Sequence, residues 1–173
     1  MERLSHLNLR FLTEPAHVDR TGRVPGGTIM KWIDQAGHTC AVGWTGDHCS
    51  THFVGGVHFL TPIHAGDLVV VRAQVIQTRD DRMSVAVDVY AGDPMATTMH
   101  RAGHCVAVYG VRDERDQPKP APPWIPGSPV EVALEQYAAR HEELRQSLDV
   151  EMEARLKWLD QQRPSIVHRG THV

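Results

Sequence analysis

One stretch limits the possible folds more than any other: Val24-Pro25-Gly26-Gly27-Thr28-Ile29-Met30-Lys31-Trp32-Ile33-Asp34-Gln35-Ala36-Gly37. Its apolar positions Ile29, Ile33, Ala36 and Cys40 recur at helical spacing, with Met30, Gly37 and Ala41 beside them. The spacing predicts a helix from about Pro25 to Trp44, apolar around most of its circumference and therefore covered on more than one side. Pro25 suits an early helix position, where its missing N–H would be unpaired anyway. Gly26 and Gly27 let another group approach the first-turn amides without meeting a side chain. Further along comes Asp34, flanked by Trp32, Ile33 and Ala36. Bare amides followed by a carboxylate in apolar company point to a ligand site.

The rest of the chain reads mostly as strands. Leu4 to Leu12 alternates partially and predicts a first strand before the helix. After Gly46-Asp47, Thr51 to Leu60 predicts a strand interrupted at Gly55-Gly56, where a bulge or close backbone approach is expected. Leu68 to Thr78 is Val-rich and expected to be buried on both faces over its first half. Met83 to Tyr90 alternates cleanly, and Thr97 to Val111 is a last long strand. Short polar turns between the last three imply an antiparallel meander. Strand, long helix, then four strands is an α+β order, a sheet curled around one helix.

That domain is expected over residues 1–115. A linker over 116–129 follows, extended by Pro118, Pro120, Pro122, Pro123, Pro126 and Pro129. Ser128, Pro129 and Glu131 then supply a cap, a first-position proline and a carboxylate three residues after the cap. An amphipathic C-terminal helix is expected over 130–163, with Tyr137, Leu144, Leu148, Met152, Leu156 and Leu159 on one stripe. At the standard rise it would be about 50 Å long, so it should lie across the domain or meet a neighbouring subunit. Residues 164–173 are expected to be a frayed tail.

With a net charge of -3, nothing favours nucleic acid or an acidic membrane as a partner. No segment is apolar for long enough to span a bilayer, and no secretory signal is expected at the N-terminus. Cys40, Cys49 and Cys105 are odd in number and not closely paired, which favours structural thiols in a reducing cytoplasm. The 12 histidines raise the question of a metal, but they are dispersed. His100 and His104 share a strand face at roughly 13 Å, so no metal site is expected.

The segment from Asp19 through Val24-Pro25-Gly26-Gly27 to Asp34 resembles the catalytic segment of hotdog-fold acyl-CoA thioesterases. It is similar, more narrowly, to bacterial short-chain acyl-CoA thioesterases and cytosolic brain-type acyl-CoA hydrolases. Phe59-Leu60-Thr61-Pro62-Ile63-His64-Ala65-Gly66-Asp67 resembles that family's strand-turn segment before the third strand. The likeness runs from about Leu7 to Val111, and the proline-rich linker and last helix resemble the C-terminal extension of the brain-type enzymes. It implies a sheet wrapped around the helix and self-association as a dimer or a dimer-based tetramer or hexamer. It also implies hydrolysis of acyl-CoA to free acid and CoA with no added cofactor. Asp34 matches the family's catalytic carboxylate, and Gly27, with Gly26, the amides that polarise the thioester carbonyl. Two positions depart from the pattern. Asp19 stands where many relatives carry Asn; a second acid there could serve as a base, or raise the pKa of Asp34 if close. Pro25 stands where brain-type relatives usually carry His.

The chemistry suits those residues. Thioester hydrolysis develops negative charge on the carbonyl oxygen, which helix N-terminal amides stabilise without reorganising. A carboxylate serves either as the base that activates water or as a nucleophile, and desolvation makes it more basic. Gly27 and Asp34 are about 10 Å apart along a helix, too far for one carbonyl to touch both. A site shared between two subunits is therefore expected. Arg79 and Arg82 are the candidates for the CoA phosphates, with Arg101 weaker, although solvated turn charges would look the same. The plain alternatives are a structural carboxylate at Asp34 and close helix packing at Gly26-Gly27. At the level of the whole protein the alternative is a non-catalytic acyl-CoA-binding hotdog protein. A hotdog hydratase ranks lower, because its His-and-Asp loop is not apparent.

Overall fold

The computed structural model describes residues 3–162. In chain order it forms β1 (His6–Leu12), a 3-10 turn (Pro15–His17), α1 (Gly26–Thr45), β2 (His48–Phe59), β3 (Leu68–Arg79), β4 (Arg82–Gly92), β5 (His100–Arg112) and α2 (Pro129–Gln162). The expected tail lies outside the described residues. The strands make one antiparallel sheet in the order β1-β3-β4-β5-β2, with the expected meander at its centre.

The sheet lays its inner face on α1. Val71, Val75, Val85, Val87 and Val89 are completely buried there, against Ile29, Ile33, Ala36 and Cys40 of the helix. Burying a valine contributes roughly 2 kcal/mol, so this face is the main source of stability. Two expectations of fuller burial do not hold within the chain. Asp34, Gln35, His38 and Thr39 are exposed, so the sheet covers α1 on one side only. On the outer face of β3, Val70 is half-buried and Arg72 exposed. Further along that outer face, Ile76 is buried in a second apolar cluster with Ala86, Val106 and Ala138.

Local chemistry sets the ends of the elements. Gly46, at φ 70°, closes α1 in the left-handed conformation, its amide donating to the Val42 carbonyl at 2.8 Å. In β2, Gly56 at φ 58° lies within the register shift between Gly55 and His58, the irregularity expected from the glycine pair. At the turn before β3, buried Thr13 donates its hydroxyl to the His64 carbonyl at 2.6 Å, and the Asp67 carboxylate accepts the His64 amide at 2.8 Å. That ties the end of β1 to the start of β3.

The chain forms two compact units, one through Ala138 and one from Ala139 onward. In the first, the proline-rich segment is bound along its length rather than free. The Lys119 amide donates to the Val111 carbonyl, the Ala121 amide to the Asp80 carbonyl, and the Trp44 indole to the Pro122 carbonyl. Trp124 is buried in the main core, its amide donating to the Thr78 hydroxyl at 2.9 Å. The start of α2 is capped as expected: the Ser128 hydroxyl accepts the Glu131 amide at 3.2 Å, while the Glu131 carboxylate accepts the Gly127 amide at 2.7 Å. In the second unit, α2 carries ion pairs of Arg145 with Glu142 and Asp149, and of Lys157 with Glu153. The stripe of Leu144, Leu148, Met152 and Leu156 is exposed there.

Because Trp124 anchors the strap in the core, Trp124→Ala should cost about 3 kcal/mol or more of unfolding free energy, read by urea denaturation. A loss below about 1 kcal/mol would mean that the strap is held by its backbone bonds instead.

Candidate active site

α1 begins as its sequence demands. Pro25 is the N-cap, extended at φ -63° and ψ 148°, one residue earlier than a first helical position. Its carbonyl accepts the Thr28 and Ile29 amides at 3.0 and 3.2 Å. The amides of Gly26 and Gly27 have no acceptor among the described residues. Gly27 is exposed, and an added Cβ there would meet nothing within 4 Å. At Gly26 it would come 3.3 Å from the tip of the Phe59 ring. The glycine pair therefore does two things: Gly26 admits the Phe59 ring, and Gly27 leaves an uncovered donor at the positive end of the helix dipole.

Asp34 lies two turns further on, about 10 Å along the axis. Its neighbours Trp32, Ile33 and Ala36 are buried, but they face the sheet, and Asp34 is exposed on the side that the sheet leaves bare. The apolar company seen in the sequence is thus adjacent in the chain and on a different face of the helix.

Asp19 lies in the loop before α1, where it is engaged locally. One carboxylate oxygen accepts the Thr21 hydroxyl at 2.6 Å, the Thr21 amide at 2.7 Å and the Arg23 amide at 3.4 Å. The backbone closes the same loop through Asp19 N–H to the Arg23 carbonyl and through Gly22, at φ 75°, to the Asp19 carbonyl. The Thr21 hydroxyl, and then its amide, hold the Asp19 carboxyl below its usual range. A carboxylate held ionised in this way is a weaker base, and the groups acting on it are Thr21 and Arg23, not Asp34.

Comparison with known proteins shows what the chain resembles. A family model of the thioesterase superfamily matches residues 21–98, the segment holding Gly26, Gly27 and Asp34. The acyl-CoA thioester hydrolase YciA of Salmonella typhimurium is 28% identical over 120 residues, covering 67% of this chain and 90% of that protein. The acyl-CoA hydrolase of Staphylococcus aureus, solved with butyryl-CoA, CoA and CoA disulfide, shares the fold with a TM-score of 0.84. It is 24% identical and covers 91% of this chain and 96% of that one. The chain has the hotdog fold and is similar to acyl-CoA thioesterases. A hexameric thioesterase of Yersinia pestis, y2039, has a TM-score of 0.61 at 28% identity, over 66% of this chain and 93% of its own.

Within this hotdog chain the arginines expected to meet CoA stand apart from the amides. Arg79 and Arg82 close the β3–β4 hairpin, and Arg82 lies opposite Gly110, which also pairs with Ser50 just after α1 ends. The amides are at the other end of α1, where the Val24 amide donates to the Ile63 carbonyl ahead of β3. A helix of 20 residues, about 30 Å, separates the two ends. Arg82 is 4.0 Å from Asp81, and Arg101 is engaged on the outer sheet face by Asp88 at 3.4 Å and the Tyr90 hydroxyl at 3.2 Å.

Two groups beside Asp34 escaped the reading of the sequence. His38, one turn on, sets its ring edgewise to Tyr109 at 6.1 Å between centroids. Tyr109 is completely buried, and its hydroxyl is crowded over Gly37, where an added Cβ would sit 2.3 Å from it. The Asp34–His38 spacing of four was legible, whereas nothing local to β5 marks Tyr109. Cys40 and Cys105 are pushed up to about 11 and about 12 by burial, so neither is a thiolate nucleophile near neutral pH.

The Asp19 loop makes a pH-dependent prediction. Its folded pKa is depressed, so the stability it contributes is present above the unfolded value near 3.8 and is lost as pH falls through the folded one. Asp19→Ala should therefore lower Tm at pH 6, and the gap from wild type should close on titration toward pH 3 in thermal melts. A gap that does not change with pH would assign the loop to its backbone bonds alone.

Proposed function

We propose that this chain hydrolyses acyl-CoA thioesters to free carboxylic acids and CoA, with each site assembled from two subunits. The observation that carries the reading is α1 itself: two unpartnered glycine amides at its start and an exposed carboxylate two turns later, in a hotdog fold. Asp34 of one subunit accepts a proton from water as the water oxygen adds to the thioester carbonyl carbon. The Gly26 and Gly27 amides of the other subunit stabilise the resulting oxyanion. The C–S bond then breaks, and the CoA thiolate takes the proton back from Asp34. Sharing accounts for both open features at once. Among the described residues neither the bare Gly27 amide nor the bare Asp34 face has a cover, and a second copy would desolvate both, raising the basicity of the carboxylate and strengthening the amides. Asp19 enters as the residue that shapes the loop delivering the amides. The exposed leucine stripe of α2 is assigned on the same reading to contact between copies.

Asp34→Ala should lower kcat by about 10²- to 10⁴-fold with little change in Tm, followed by thiol release from a panel of acyl-CoAs. Mixing Asp34→Ala subunits with Gly27→Pro subunits should restore roughly a quarter of wild-type activity. Half of the dimers would be mixed, and each would hold one intact site of two. If the mixture stays inactive, both groups act within one subunit. Binding of acyl-CoA without release of CoA by wild type would instead favour the non-catalytic binding protein.

A further inference from the structure

The hydroxyl of Tyr109 is the one buried side-chain polar atom without a hydrogen-bond partner among the described residues. It is not crowded there by chance. Tyr109 leaves β5 toward α1, and its hydroxyl fills the space that any side chain at position 37 would need. Gly37 thus opens a slot in the middle of α1, where a glycine otherwise weakens a helix. An unsatisfied buried hydroxyl costs stability, and phenylalanine would fill the same volume without that cost. The slot is one helical turn from Asp34, whose charge, after burial, is the next influence pushing the Tyr109 hydroxyl up from its ordinary range.

We propose that Tyr109 is a positioning residue for Asp34: its hydroxyl, laid over bare Gly37, donates a hydrogen bond to the Asp34 carboxylate once that helix face is covered. In the single chain the Asp34 side chain is free to turn to water. Covering the face removes that alternative and leaves the phenol as the donor at hand. The bond orients the carboxylate toward the attacking water and favours its ionised form. The inference rests on the proposed hydrolytic role of Asp34 but is tested apart from it.

The titratable groups around the phenol are Asp34, His38 and Cys40 on α1, Cys105 on β5 and Cys49 on β2. Burial pushes all three thiols up, Cys40 to about 11 and Cys105 to about 12. His38 is therefore the neighbour to control, and measurements are repeated on a His38→Asn background.

The experiment is Tyr109→Phe in the full-length assembled protein. The Asp34 carboxyl is followed by 13C NMR and assigned with Asp34→Asn. The midpoint of its titration should move to higher pH by about half a unit or more, because a donor to the charged form has been removed. The acidic limb of the kcat profile should move the same way, with kcat about tenfold lower, KM unchanged and Tm equal or higher. Gly37→Ala, which displaces the hydroxyl, should reproduce the shift and add nothing to Tyr109→Phe. If the carboxyl titration is the same with and without the hydroxyl, Tyr109 does not position Asp34, whether or not the protein hydrolyses acyl-CoA. If no acyl-CoA is hydrolysed but the titration shifts, the hydrolytic reading fails and the contact stands.

Discussion

The close approach of β5 to α1 at Gly37 governs the first unit. A tyrosine on the sheet and a glycine on the helix share one volume, and an alanine methyl at position 37 would lie 2.3 Å from the phenol oxygen. Contacts this tight act as a register mark, because sliding the helix by one residue would drive a side chain into the Tyr109 ring. The surrounding valines supply most of the burial but little of this specificity, since their small branched side chains can meet a helix in several registers. With α1 held, Gly26 falls beneath Phe59, Gly27 opens to space, and Asp34 turns to the face without a sheet.

The consequence is a helix with two chemically unfinished features. Among the described residues, donors at its start lack acceptors and a carboxylate in its middle lacks a cover. Within one chain they are separated along the axis and cannot meet at a single carbonyl. On the proposed reading, a two-fold arrangement would bring each to the other's counterpart, so that one sequence feature would serve two sites. The Asp19 loop belongs to the donor end, since its bonds to Thr21 and Arg23 set the path by which the chain enters α1.

The rest of the first unit braces the sheet from outside. The strap from Lys119 to Trp124 runs along the sheet end where α1 stops, and Lys119 meets Asp47 at 2.7 Å there. The first turns of α2 then cover the outer face through Ala138, beside a polar chain in which His104 bridges Asp88 at 2.8 Å and the Tyr137 hydroxyl at 3.1 Å. Proline fixes φ along such a segment, so ordering it against the sheet costs little conformational entropy.

The amino-acid sequence by itself determined the parts governed by local period and local chemistry. Helical spacing from Ile29 to Cys40, the valine-rich strands and the punctuation at Gly46, Gly55-Gly56 and Ser128-Pro129 place both long helices and all five strands to within a few residues. The resemblance to acyl-CoA thioesterases came from two short segments, Asp19 to Asp34 and Phe59 to Asp67, taken with the order of the strands. Only the tertiary structure decided what depends on facing and distance. It turned Asp34 away from its apolar neighbours, because successive helical residues point about 100° apart. It tied the Asp19 carboxylate to Thr21 and Arg23, set Arg79 and Arg82 near the far end of α1, and made the proline-rich linker a strap. It also set Tyr109 over Gly37, a contact across 72 residues that no local pattern announces, since it exists only when β5 and α1 are already packed.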